Sequence, residues 1–109
     1  GRAKCLSNGL IAIADLEEEP DGNEVLIGGV VTNWRTINTK SGSAMAGFKL
    51  EDLTGTVEVV VFPKLYAEVR DGYLPERVTV VKGRLEHQDE GVKVLAGQLR
   101  WLSNNQNDG

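Results

Sequence analysis

The chain has few of the residues on which disulfide frameworks and metal sites depend. Its 109 residues include one cysteine, Cys5, and one histidine, His87. A single cysteine cannot form an internal disulfide, and a single histidine leaves no cluster for a structural zinc ion. There is also no secretory-signal pattern and no apolar run near the roughly 20 residues that span a bilayer. These absences predict one cytoplasmic domain with no disulfide, no metal, no cofactor and no membrane partner.

The usual components of a catalytic site are missing as well. Such a site needs a nucleophile, a base and an orienting group together, whereas His87 lies in a turn rich in glycine and acids. Glu51 and Asp52 are adjacent on a predicted strand, so their side chains point to opposite faces and cannot easily hold one ion. Gly28-Gly29 precedes no helix and lacks a following Lys-Ser/Thr pair, which excludes a phosphate loop. We therefore expect no catalytic residue.

The net charge of -4 is unevenly distributed. Residues 1–24 contain six acids and two bases, whereas residues 25–109 contain ten of each. A neutral main portion argues against a strongly basic face for nucleic acid. Any affinity for phosphates must then come from a local arrangement of cations, and we expect such binding to be weak and sensitive to salt.

Alternation of apolar and polar residues predicts five strands, at 25–37, 45–51, 56–62, 78–86 and 92–101. Hairpin loops at 39–43 and 87–91 and a tight turn at 52–55 separate them. Within the first strand, Gly28-Gly29 predicts a bulge or a sharp bend, which a small barrel needs because its first strand pairs at both ends.

Two short helical segments complete the chain. Pro63 fits the first position of a helix of about eight residues that Gly72 would end. Upstream, residues 13–19 predict a helical turn capped by Asp15, with Glu18 in the capping-box position. The predicted organisation is an N-terminal arm with this turn at 1–24, a barrel at 25–102, and a polar, mobile tail at 103–109.

The order of elements is strand, strand, strand, helix, strand, strand. This order is typical of an all-β, five-stranded OB-fold barrel, the oligonucleotide/oligosaccharide-binding fold, with its short helix between strands 3 and 4. An SH3-like barrel is the alternative, and its usual plan does not need this helix.

OB barrels bind ligands on the outer face of strands 2 and 3, edged by the first and last hairpin loops. A site for single strands needs cations for the backbone and flat groups for base stacking. Three of the residues that could form such a site have an alternative role in the fold. Trp34 would pack in the core, and Arg35 and Lys49 would form cross-strand pairs with Glu58 or Glu51. The predicted core aromatics are Phe48, Phe62 and Trp101. The candidate nucleic-acid-binding residues are Trp34, Arg35, Lys40, Ser41, Lys49, Arg84 and Lys93.

Several motifs in order carry a family resemblance over about residues 13–102. They are Gly29-Val30-Val31, Thr39-Lys40-Ser41-Gly42, Leu50-Glu51-Asp52-Leu53-Thr54-Gly55 and Val57-Glu58-Val59-Val60-Val61-Phe62-Pro63. Together these residues resemble the C-terminal OB domain of the α subunit of bacterial DNA polymerase III. The chain departs from that pattern at Ser43-Ala44, where relatives often carry bases, and at Gly47, where they often carry a larger apolar residue.

The resemblance implies a non-catalytic module that engages the single-stranded template of a replicative DNA polymerase. The polymerase active site would lie in other domains of the parent, and segments contacting the sliding clamp and clamp loader would flank this one. Two other functions remain open. They are a domain that mainly docks proteins within the replisome, and an anticodon-binding OB domain of a class II aminoacyl-tRNA synthetase.

Overall fold

The computed structural model is a closed barrel of five strands. It describes residues 10–69 and 78–101, except the side chain of Trp101. The strands are β1 (Glu24–Asn38), β2 (Ala44–Glu51), β3 (Thr56–Val61), β4 (Val78–Gln88) and β5 (Gly91–Trp101), and the helix α1 (Pro63–Val69) lies between β3 and β4. Their order around the barrel is β1-β2-β3-β5-β4. The pair β3 and β5 is parallel and the others are antiparallel. This confirms the OB-fold prediction. The predicted tail and the stop at Gly72 lie outside the described residues.

The core consists of inward side chains that alternate along every strand, as the pleat requires. Phe48 and Leu50 of β2 and Val59 of β3 are fully buried, and so is Leu16, which does not belong to any strand. Leu16 and Ile13 come from a 3₁₀ helix, Ile13–Glu18, that joins the same core cluster. The interior of a small barrel has to be filled by side chains, and this helix supplies part of the filling.

The 3₁₀ helix is not capped as the sequence predicted. Its N-cap is Ala12, with no side-chain cap, so the capping box of Asp15 and Glu18 is wrong. Instead the amide of Ile13 donates to Asp52 Oδ2 and the amide of Ala14 to Thr54 Oγ1, each at 3.0 Å. The turn between β2 and β3 therefore satisfies amides that a local cap would otherwise serve.

The strand β1 changes partners halfway along its length. Residues 24–30 pair with β4, and pairing with β2 begins at Val30. The backbone of β2 approaches so closely here that a Cβ on Gly29 would overlap the carbonyl oxygen of Glu51. The glycine pair therefore marks a close approach at the change of partner, where the sequence predicted a bulge or a bend.

The bulge in β1 lies further along, at Asn33. This residue has a positive φ of 56°, and the register with β2 shifts between Thr32 and Arg35. The additional residue inverts the alternation. Val31, before the bulge, is in the core, and Trp34, after it, also packs against the core.

The helix α1 packs Val69 into the core, with Leu65 and Tyr66 partly buried against it. Phe62, predicted to be a core residue, is 46% exposed. Val57, Val59 and Val61 point inward, so the next position in the alternation points outward. Neither α1 nor any other helix in the described parts of the chain is long and apolar enough to cross a membrane.

Candidate nucleic-acid interface

One row of charged side chains runs across four strands on the outside of the barrel. Lys49 of β2 lies opposite Glu58 of β3, Glu58 is in register with Lys93 of β5, and Lys93 lies opposite Glu86 of β4. We call these four residues the charge row. The signs alternate along it, and Lys93 Nζ lies 4.0 Å from Glu86 Oε1. The row is therefore neutral by itself.

Arg35 adds a fifth charge to this surface. Its Nη2 forms an ion pair with Glu58 Oε2, although the two residues belong to β1 and β3. The position opposite Arg35 on the intervening strand is Gly47. A Cβ there would lie 2.8 Å from Arg35 Nη2 and 3.3 Å from Glu58 Oε2, so the absence of a side chain lets the guanidinium cross β2. The pairing of Arg35 with Glu58, one of the alternatives from the sequence, is confirmed.

The loop between β1 and β2 presents Lys40 and Ser41. Thr39 closes it, because its amide donates to the carbonyl of Ser43 at 2.8 Å and its Oγ1 accepts from the amide of Ser43 at 3.1 Å. The hydroxyl of Ser41 lies 3.0 Å from that of Thr39. Within residues 10–69 and 78–101, neither Lys40 nor Lys49 forms an ion pair. Both ammonium groups are therefore available to an anion.

Trp34 lies on the opposite face of β1 from Arg35. Its ring stacks on that of Phe48, with centroids 5.5 Å apart and planes inclined by 10°. Phe48 is fully buried and Trp34 is half-buried against the core. This placement, which the bulge at Asn33 produces, favours the packing role of Trp34 over the base-stacking role.

Arg84 lies on the outside of β4, between Leu95 of β5 and Glu24 of β1. Arg84 pairs with Glu24 at the start of β1, whereas Lys49 pairs with Thr32 much further along that strand, so the two cations are well separated on the barrel. It borders a groove that Phe62 and Lys82 also line. The structure thus brings Arg35, Lys49 and Lys93 together, while Trp34 faces inward and Arg84 lies around the side of the barrel.

A second groove makes the end near the β4–β5 hairpin acidic. Glu17 of the 3₁₀ helix, Glu58 and Glu90 all line it. The candidate face is consequently basic toward the β1–β2 loop and acidic toward the other hairpin. Sequence reasoning missed this because Glu17 and Glu90 are far apart along the chain. In the part of the chain that the structure describes, no group of His, Cys, Asp and Glu side chains has a metal-binding arrangement.

The fold defines the chain as an OB barrel, a class of domain whose members bind ligands on the outer face of strands 2 and 3. The chain belongs to the family of OB-fold nucleic acid binding domains, which it matches over residues 25–102. It is a homologue of part of bacterial DNA polymerase III α subunits, as the sequence motifs predicted.

The polymerase relatives are much longer than this chain. It is 40% identical over 98 residues to "DNA polymerase III subunit alpha" of Aquifex aeolicus, covering 88% of this chain and 8% of the relative. It is 37% identical over 84 residues to "Error-prone DNA polymerase" of Vibrio parahaemolyticus, covering 73% and 8%. The chain therefore spans less than a tenth of the length of these relatives.

Solved structures support the fold alone. The E. coli hypothetical protein ygiW superposes with a TM-score of 0.67 at 15% identity, covering 94% of this chain and 99% of that one. Asparaginyl-tRNA synthetase from Pyrococcus horikoshii gives a TM-score of 0.60 at 20% identity, covering 75% of this chain and 19% of that one. At these identities the likeness is to the barrel, and it carries nothing about ligands.

Proposed function

We propose that this chain is the single-stranded-DNA-binding module of the α subunit of a bacterial replicative DNA polymerase. Homology to polymerase α subunits supports the assignment of such a subunit as the parent protein. The polymerase active site of that parent would lie in other domains. In that setting the module works in the cytoplasm, on the template strand, with the sliding clamp and clamp loader as neighbours of the parent.

The observation that carries the proposal is the basic half of the outer face. Lys40 and Lys49 are exposed, without ion pairs in the described parts of the chain, and Arg35 lies on the same face. A phosphodiester backbone would run from the β1–β2 loop along β2, meeting Lys40 and Ser41 first and then Lys49 and Arg35. Lys93 would lie at the far edge of this path.

The same geometry sets limits on affinity. Trp34 faces the core, so this path has few flat groups for bases, and contact with the backbone dominates. The acidic groove of Glu17, Glu58 and Glu90 repels a strand that continues toward the β4–β5 hairpin. Arg84 would meet only a strand that continues around the barrel. Binding should therefore be weak, independent of sequence and strongly dependent on salt.

Fluorescence anisotropy of labelled oligo-dT, titrated with the protein at several salt concentrations, tests the proposal. With about three phosphate contacts, log K should fall against log salt with a slope of about -2. Single strands should bind more tightly than a duplex of the same length. A flat titration to high micromolar protein at low salt would contradict the proposal, and preference for a folded tRNA would favour the anticodon-binding alternative.

Docking of other replisome proteins is the second candidate function. Phe62 is 46% exposed and lies beyond Val60, which is in register with the half-buried Leu95 on the outside of β3 and β5. Contiguous apolar patches mark protein interfaces, and Phe62 together with the half-buried Val60 and Leu95 would supply such a patch. If oligo-dT does not bind, while a Phe62→Ser variant loses association with the other replisome subunits, this second function replaces the first.

A further inference from the structure

We propose that Glu58 is a built-in competitor for the phosphate that Arg35, Lys49 and Lys93 would otherwise hold. The inference rests on the proposed function and deepens it. The Glu58 carboxylate occupies the place that a phosphodiester group of the ligand would take at the centre of the interface. The affinity for DNA therefore depends on this one carboxylate.

Three cations from three strands occupy positions next to Glu58 in the sheet. Arg35 reaches it through an ion pair, Lys49 is its antiparallel partner on β2, and Lys93 is its parallel partner on β5. Side chains directly opposite each other on one face of a sheet have Cβ atoms about 5 Å apart. An anion over the middle of β3 would therefore be within reach of all three cations, and in the free protein that anion is the Glu58 carboxylate.

The ion pair between Arg35 and Glu58 is suited to exchange. Its side chains are 40% and 31% exposed, so water screens it and little free energy holds it. A guanidinium binds a phosphate with the same two-pronged geometry as a carboxylate. Gly47 has no side chain beneath the guanidinium. Arg35 can therefore turn from Glu58 toward a phosphate above β2 without pushing a side chain of β2 aside.

Glu58 therefore weakens binding in two ways. It occupies Arg35, and its charge repels the incoming phosphate. The neutralised isostere Glu58→Gln should remove both effects while keeping the shape of the side chain. Glu86→Gln is the matched control, because it removes the other acid of the charge row, which contacts Lys93 at its far end.

The expected result is an increase of about 5- to 10-fold in oligo-dT affinity at low salt for Glu58→Gln, because Arg35 then binds a phosphate without first leaving a carboxylate. Glu86→Gln should change affinity by less than about 2-fold. Adding Arg35→Ala to Glu58→Gln should remove most of the gain. Equal affinities of Glu58→Gln and wild type for oligo-dT would overturn the inference and leave the proposed function intact.

Inorganic polyphosphate, which has no bases, separates the two ideas. If wild type and variant both fail to bind oligo-dT but Glu58→Gln gains affinity for polyphosphate, the phosphate site stands and the proposed DNA function fails. If neither probe distinguishes the variant, the inference fails.

A measurement on the wild-type protein covers the case of a poorly folded variant. The Nε–H resonance of Arg35 should shift during titration with pyrophosphate, because the guanidinium leaves Glu58 for the added anion. A resonance that does not move, while those of Lys40 and the loop do, would overturn the inference.

Discussion

Asp52 and Thr54 join the turn between β2 and β3 to the N-terminal 3₁₀ helix. The Thr54 hydroxyl donates to Asp52 Oδ1 at 2.6 Å and accepts from the amide of Ala14 at 3.0 Å. Asp52 also accepts from the amides of Ile13, Thr54 and Gly55. Partial burial raises the pKa of Asp52, but the Thr54 hydroxyl and these three amides together lower the pKa below the ordinary value of 3.8.

We expect Asp52→Asn to lower the free energy of unfolding by about 1–2 kcal/mol at neutral pH, because hydrogen bonds to a charged acceptor are lost. A depressed folded-state pKa gives stability that is present above the unfolded-state pKa and lost as the pH falls through the folded-state value. The wild type should therefore lose stability below about pH 4, and the variant should lose less. Urea unfolding across this range measures both. Asp89→Asn, in the exposed β4–β5 turn, controls for net charge, and equal acid slopes for wild type and Asp52→Asn would contradict the prediction.

Replacement by alanine should destabilise the protein far more at Gly29 than at Gly47. At Gly29 the new Cβ would overlap the backbone of Glu51, so we expect a loss of about 3 kcal/mol or more. At Gly47 it would meet the movable end of Arg35, and the loss should be about 1 kcal/mol or less. Denaturant unfolding of the pair compares them directly. A Gly47→Ala variant as unstable as Gly29→Ala would mean that Arg35 cannot move aside.

The bulge at Asn33 should tolerate glycine and reject β-branched residues. Asn33 has a positive φ, which costs most side chains about 1–2 kcal/mol, so Asn33→Val should be destabilised by that amount. Asn33→Gly should be close to wild type. Thermal unfolding of both variants is the measurement, and equal stability of the two would show that the bulge does not depend on this conformation.

Trp34 should matter for folding more than for binding. Loss of its stacking on Phe48 in Trp34→Ala should cost about 2–3 kcal/mol, whereas Trp34→Phe retains a ring and should cost less. Trp34→Phe should also bind oligo-dT within about 2-fold of wild type, since a ring that packs on the core contributes little base stacking. A stable Trp34→Phe protein with a much larger loss of affinity would show that Trp34 stacks on a base.

Lys40→Ala and Lys49→Ala should each make the salt slope of oligo-dT binding shallower by about 0.7, because each removes one phosphate contact. Lys64→Ala, at an exposed position of α1, provides the matched control and should leave both affinity and slope unchanged. Anisotropy titrations at several salt concentrations give the slopes. If all three variants behave alike, the basic half of the outer face is not the binding path.

The strands, their order and most of the core followed from alternation and turn residues, because the barrel buries one side of each strand. The exchange of inward and outward positions after Asn33 did not follow from the sequence, because alternation cannot show where an additional residue is inserted. A polar residue of this type inside a strand was the available signal. The pairing of Arg35 with Glu58 was among the alternatives, but the role of Gly47 in allowing it needed three strands in register. The cap from Asp52 spans 39 positions and has no local pattern.

Leu16 has a consequence for where the folding unit begins. A polypeptide starting at residue 25, the first position matched by the family, would possess nearly all of the five strands yet lack two apolar members of the core cluster, Leu16 and Ile13. The turn at Asp52 would also lose the helix it anchors. The smallest self-sufficient piece is therefore longer at its amino end than the region by which relatives are recognised.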